Sequence, residues 1–219
     1  MRARFSREFS FDWWPAAVTL VSSGVEEPNI FTVGVLGAPC SRPPMVTISP
    51  RDHILSYELI KEHGQFVVNF PSVDQIDSMF FCGTHSGRDV DKWSACDFTP
   101  LKGDVVDVPL IAECPVNLEC TVERELRFEL EDGTQGTEVL IVGRIVRLSS
   151  HKAYVVDGKV QWDLIDLIVR SRPRTWRAMG PVLGYDPRKT RSDDPRLAPE
   201  RISTRTARLA EELVSEVQA

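Results

Sequence analysis

Ser49, Arg51, His53 and Ser56 crowd a short stretch between a β-like segment and a helix-like one. Hydroxyls and a guanidinium beside the N–H groups of a helix start form a receptor for a phosphate. The same residues also fit an ordinary helix start, with Ser56 as a capping or decorating hydroxyl and Arg51 solvated. Ser86, Arg88 and Lys92 add a second group of donors in a polar stretch that ends at Trp93. A solvated loop is the simple alternative there. Other chemistries find little support. Gly83-Thr84-His85-Ser86-Gly87 places His where a nucleophile elbow needs Ser, and no strand precedes it. His53, His63, His85 and His151 lack metal-ligand spacing. Neither G-x-G-x-x-G after a strand nor G-x-x-x-x-G-K-[ST] occurs, so neither a Rossmann site nor a P-loop is indicated.

These donors sit in a chain of 219 residues that is 42% hydrophobic and carries a formal charge of −6. That apolar content is enough for a real core, and the net acidity argues against a nucleic-acid partner. No run approaches the ~20 apolar residues of a membrane span. Glu8 and Asp12 interrupt what would be the apolar centre of a signal peptide after Arg2, Arg4 and Arg7, so a cytoplasmic location is expected. Cys40, Cys82, Cys96, Cys114 and Cys120 contain no C-x-x-C pair and are expected to be free thiols, with no metal site.

The elements that must position the donors are mainly β. Strands are expected over Ala17 to Ser22, Ile30 to Leu36, Met45 to Ser49 and Gln65 to Phe70, because β-branched and aromatic residues recur there between turn signals. Ile54 to His63 has the apolar spacing of a helix, with Gly64 suited to close it. Ser72 with Gln75 forms a capping-box pattern opening a short helix through Met79 and Phe80, and a polar loop is expected from Gly83 to Asp91. Val116 to Leu130 and Thr137 to Leu148 should pair as a hairpin around Asp132–Gly133, and Tyr154 to Val160 as another around Asp157–Gly158. Helices set into antiparallel strands imply an α+β barrel.

After about Leu167 the composition changes. Arg170, Arg172, Arg174 and Arg177, with prolines from Pro173 to Pro199, read as an extended basic arm. Ile202, Leu209, Leu213 and Val217 then fall at helical spacing. The expected division is a barrel over 1–167 and an arm with a C-terminal helix over 168–219. That helix would pack on a neighbouring subunit or on its own barrel.

Asn29-Ile30-Phe31-Thr32-Val33-Gly34-Val35, then Cys40-Ser41-Arg42-Pro43-Pro44 and a strand ending at Ser49, resemble the leading signature of the flavin reductase-like, FMN-binding split-barrel family, in particular its flavoredoxin branch. The resemblance continues through Ser56-Tyr57-Glu58-Leu59-Ile60, Phe66-Val67-Val68-Asn69, Asp91-Lys92-Trp93, Leu118-Glu119-Cys120 and Val139 to Gly143, in family order over roughly residues 10 to 165. It implies a six-stranded antiparallel Greek-key split barrel, a homodimer, and FMN held without a covalent bond. By resemblance, Asn29, Thr32 and Val35 would line the isoalloxazine, with backbone groups of that strand, Val33 included, on its polar edge. Ser49, Ser56 and Lys92 would hold the phosphate, with Arg51 and Ser86 in the same shell.

Two positions depart from the family pattern. Val35 stands where members often carry Trp, removing one aromatic wall, and Glu138 stands where they often carry His. A carboxylate there would disfavour an anionic reduced flavin. The function implied by the resemblance is an FMN-dependent oxidoreductase that takes electrons from NADH or NADPH and passes them to free flavin, a protein or a small acceptor. The alternatives are an FMN-binding electron carrier without reductase activity, or a barrel that has lost flavin and serves as a scaffold. No side chain is expected to act as catalytic acid or base, since the cofactor carries the chemistry.

Overall fold

Every side chain of Thr19–Ser23 is buried, although successive side chains of a strand point to opposite faces. Both faces of this strand are therefore covered. Val21 joins a core with Phe66 and Ile141, while Leu20 joins a second core with Met79 and Trp93. The structure, a computed structural model, describes residues 15–172 and 175–180.

In chain order the strands are β1 (Ala16–Ala17), β2 (Thr19–Ser23), β3 (Asn29–Val33), β4 (Gly37–Ser41) and β5 (Pro44–Ile48). Helix α1 (Leu55–His63), β6 (Gln65–Phe70), α2 (Ile76–Thr84) and α3 (Lys92–Ala95) follow. The short pair β7 (Pro100–Leu101) and β8 (Leu110–Ile111) leads to the long hairpin of β9 (Val116–Glu129) and β10 (Gln135–Ser150). A small hairpin, β11 (Val155–Val156) with β12 (Lys159–Val160), precedes β13 (Ile168–Arg172) and β14 (Thr175–Ala178). The main sheet runs β3-β2-β6-β9-β10-β5-β4, with antiparallel pairing throughout.

Local chemistry explains the element ends. Gly64 closes α1 at φ 64°, donating its N–H to the Ile60 carbonyl, a left-handed conformation that glycine adopts without penalty. Tyr57 and Ile60 of α1 cover the first core. The Ser72 N–H donates to Gln75 Oε1 at 2.9 Å, as the capping-box pattern predicts, and one 3-10 turn then feeds α2. Asp157 and Gly158 both have positive φ, the requirement of a two-residue hairpin turn of the primed type.

Three expectations are corrected. The strand expected over Ile30 to Leu36 stops at Val33, and Gly37–Ser41 forms its own strand against β5, so the main sheet has seven strands rather than six. Helix α2 runs through Thr84 rather than yielding to a loop at Gly83, its end supported by the Thr84 hydroxyl bonding the Phe80 carbonyl. The division expected at Leu167 lies inside regular structure, because β13 pairs with both β1 and β14 and the compact unit ends at Met179. Basic, proline-flanked composition reads as an arm, yet the alternate apolar residues Ile168 and Trp176 pack into the second core. The stripe from Ile202 to Val217 lies outside the described residues. Among the described residues no helix is long and apolar enough to cross a membrane.

Candidate functional site

A cavity of about 1150 Å³ opens between β3, the start of α1, the end of α2 and the β9–β10 hairpin. All nine residues singled out from the sequence line it: Asn29, Thr32, Val33, Val35, Ser49, Arg51, Ser56, Ser86 and Lys92. β3 supplies the first group: Ile30 turns into the second core, Phe31 and Val33 join the first core and also reach the cavity, and Asn29, Thr32 and the following Gly34 and Val35 complete that side of the lining.

At one corner the contacts are polar and tightly linked. Asn29 Nδ2 donates to Ser56 Oγ at 2.8 Å, and both side chains are buried. A side chain at Gly87 would collide with the Asn29 carboxamide, so the loop backbone passes close to it. Ile54 precedes α1 in extended conformation without any side-chain cap, and Ile54, Leu55 and Ser56 all face the cavity. The Tyr57 N–H already bonds the Ile54 carbonyl, while the Leu55 and Ser56 N–H groups have no acceptor within the helix and could receive an anion. Arg88 spans the corner, pairing with Glu58 Oε1 at 2.6 Å and donating to the His53 carbonyl at 3.4 Å.

The cations differ in how they are held. Lys92 is 3% exposed, and its ammonium donates to the carbonyls of Ile30 at 2.7 Å and Cys82 at 2.9 Å. Burial pulls its pKa below the usual lysine value, partly countered by the neighbouring Cys82 and Cys96. Two of its three protons are thus committed to the scaffold, a role the sequence did not reveal. Arg51 faces Glu138 at 3.8 Å and is bridged to it through the backbone, so the carboxylate flagged as a departure has a cation beside it. Ser49 and Ser86 are exposed, and Ser86 Oγ accepts from the Arg88 N–H at 3.2 Å. Thr32 uses its hydroxyl to bind the Met79 carbonyl at 2.6 Å, fixing β3 to α2.

Several lining residues escape sequence reasoning. Phe128 and Leu140 reach the cavity from the long hairpin; Arg170, already marked in the sequence as part of a basic stretch that could cover a flavin, reaches it from β13, its guanidinium passing over the bare backbone of Gly34. Only the pairing of distant strands brings them here, and spacing along the chain carries no signal of it. The lining holds four cations, Arg51, Arg88, Lys92 and Arg170, against one carboxylate, Glu138. A chain that is acidic as a whole therefore presents a positive cavity. All five cysteines are free thiols. Among the described residues no cluster of three or more His, Cys, Asp or Glu side chains is arranged to hold a metal.

An antiparallel β architecture with helices packed on it and a cavity lined by cations at one corner is the split-barrel fold of the flavin reductase-like kind. The flavin reductase like domain family matches residues 12–161, and the chain belongs to that family. It is 32% identical over 146 residues to an uncharacterized protein of Archaeoglobus fulgidus, covering 67% of this chain and 78% of the relative. Among solved structures it resembles flavoredoxin from Methanosarcina acetivorans, with a TM-score of 0.75 at 27% identity, covering 88% of this chain and 98% of the other. The flavoredoxin of Desulfovibrio vulgaris shares the fold with a TM-score of 0.73 at 24% identity, covering 84% and 97% of the two chains.

Proposed function

We propose that the cavity binds FMN and that the chain is an FMN-dependent oxidoreductase drawing electrons from NADH or NADPH. The observation that carries this reading is the donor set: an uncapped helix start, the Ser56 hydroxyl and Arg88 at one corner of a cavity whose remaining wall includes Phe31, Val33, Val35, Phe128 and Leu140. Phosphate chemistry suits the first group and a planar apolar ring suits the second. Membership of the flavin reductase-like family and likeness to a flavoredoxin support the same ligand.

FMN supplies reversible hydride and electron transfer when bound. The protein's part is to bind and orient. Ser56, the first N–H groups of α1 and Arg88 would hold the phosphate, with Ser49, Ser86 and Arg51 around them. Asn29 orients the Ser56 hydroxyl by donating to it. Phe128 provides an aromatic surface that Val35 does not. Arg51 beside Glu138 reduces the penalty that the carboxylate would place on negative charge in the cavity.

Arg88→Ala should weaken FMN by roughly 10- to 30-fold, the loss of one charge-assisted hydrogen bond. Riboflavin, which has no phosphate, should change less than about twofold in the same titration, a difference too small to represent such a bond. Equal losses would remove Arg88 from the phosphate. Absence of a flavin spectrum after incubation with FMN would overturn the ligand itself. Mixing the holoprotein with NADH and then NADPH without oxygen should bleach the flavin with one of them. Failure with both would leave the electron-carrier reading, which the likeness to flavoredoxin favours. A homodimer is part of the proposal: Leu126 and Phe128 of β9 and Leu130 just beyond it expose apolar surface. Light scattering should give twice the chain mass.

A further inference from the structure

Cys82 and Cys96 stand 14 residues apart in the chain, and no short motif joins them, yet their sulfurs lie 3.8 Å apart. Cys82 belongs to the last turn of α2 and Cys96 ends α3. Three contacts keep the pair together. Lys92 of α3 donates to the Cys82 carbonyl, the two cysteines join one core cluster, and Cys96 Sγ reaches the Ser78 carbonyl of α2 at 3.9 Å. The other buried thiols are placed differently: Cys114 bonds Gln75, and Cys120 bonds the Leu118 carbonyl.

We propose that Cys82 and Cys96 form a redox-active pair that a hydroperoxide converts to a disulfide. The two sulfurs are unequal in access, Cys82 being 2% exposed and Cys96 only partly covered. Oxidant therefore meets Cys96 first. The Cys96 thiolate attacks the peroxide, forming an S–O bond as the O–O bond breaks and the alcohol or water leaves with the thiol proton. The Cys82 sulfur then attacks Cys96, forming the S–S bond as the S–O bond breaks. The hydroxide leaves as water with the Cys82 proton. Two thiols and one hydroperoxide thus give one disulfide, one alcohol and one water, the peroxide accepting both electrons.

The surroundings fit this division of labour. Burial, with Cys96 alongside, pushes the Cys82 thiol up to about 12, so on its own it is a poor target for oxidant in solution. The Lys92 charge nearby acts in the opposite sense and favours the thiolate at the moment of attack. Bond formation needs the sulfurs to close by about 1.8 Å, to the ~2.05 Å of a disulfide. Cys96 sits at the end of a four-residue helix and is followed by Asp97 at φ 53°, a helix terminus rather than a rigid interior. Because Cys82 and Lys92 also line the cavity, the bond would couple its state of oxidation to the cavity wall.

The test uses the full-length chain without FMN, so its result is independent of the flavin reading. Reduced protein is treated with one equivalent of hydrogen peroxide, blocked with an alkylating reagent and digested with trypsin. Most of the protein should become about 2 Da lighter, the loss of two hydrogens, with peptides 62–88 and 93–102 joined. In Cys82→Ser the reaction should stop at Cys96, trapped by dimedone as a sulfenic acid. Recovery of both wild-type peptides as alkylated thiols would overturn the proposal. So would sulfinic acid at Cys96 with Cys82 still alkylated, or a linkage to Cys40 in place of this one. The wild-type map decides the matter even where the serine variant folds poorly.

Discussion

Replacing Lys92 with methionine tests whether its ammonium serves the scaffold or a ligand. Met is one heavy atom shorter, keeps the unbranched apolar stem and donates no hydrogen bond, so the Ile30 and Cys82 carbonyls each lose a charged donor. Cys82 lies in the last turn of α2, where carbonyls lack partners within the helix, so its loss is not made good locally. Two hydrogen bonds from a charged group at about 1.5–3 kcal/mol each set a gross cost of about 3–6 kcal/mol. The substitution also relieves the burial of a charge, which is what lowers the lysine pKa. A net loss of about 2–4 kcal/mol remains, since that relief offsets only part of the two bonds. For a domain of this size that is a fall in Tm of roughly 4–16 °C. Urea unfolding followed by tryptophan fluorescence measures it, with Arg88→Ala as a surface control expected to stay within about 1 kcal/mol. A Lys92→Met midpoint equal to wild type, with FMN affinity alone reduced, would refute the scaffold role.

Three further substitutions probe the frame around the site. Asp91 caps α3, accepting from the N–H groups of Trp93 at 3.0 Å and Ser94 at 3.4 Å, and Asp91→Ala should cost about 1 kcal/mol at neutral pH. The Ser94 hydroxyl, more than the backbone bonds, holds the Asp91 pKa below its ordinary value. Its stabilisation is therefore complete above the unfolded value near ~3.9 and is lost as pH falls through the lower folded one; a wild-type-to-variant gap that persists unchanged in strong acid would contradict this. Glu119 is 1% exposed and accepts from the N–H groups of Asp104, Val105 and Val106 at 3.1, 2.7 and 2.8 Å. Glu119→Gln turns a donor toward those donors and should cost about 2–3 kcal/mol, with faster hydrogen exchange at Val105 and Val106 as the local readout. A Cβ at Gly143 would collide with the Phe66 ring, so Gly143→Ala should lose about 1–3 kcal/mol by overpacking, and Phe66→Leu in the same chain should restore part of it.

β-Branched and aromatic residues between turn signals place β6 at the expected residues, and period-two alternation finds both arms of the long hairpin, because one face of each arm must be apolar where it meets a core. Gly37–Ser41 escapes the same reasoning. Its Gly-Ala-Pro-Cys-Ser run has no apolar alternation, and only its partner β5 makes it a strand. The cavity shows the same boundary between spacing and tertiary contact. Hydroxyls and cations near a helix start are legible from residue type, and all nine residues do converge on one cavity. Which cation remains available to an anion is not legible, because a sequence displays charge without displaying what stands opposite it. Arg51–Glu138 and Arg88–Glu58 join side chains that are all 44% exposed or more. Such pairs are worth about 0–1 kcal/mol, so a phosphate can displace either carboxylate at little cost. Lys92 is the opposite case: its partners are backbone carbonyls in the interior, and exchanging them for a ligand would leave buried acceptors without donors. The cation that looks most committed to a phosphate by its place in the Asp91-Lys92-Trp93 motif is thus the least exchangeable, and on the proposed reading the phosphate would draw its affinity from the arginines at the rim.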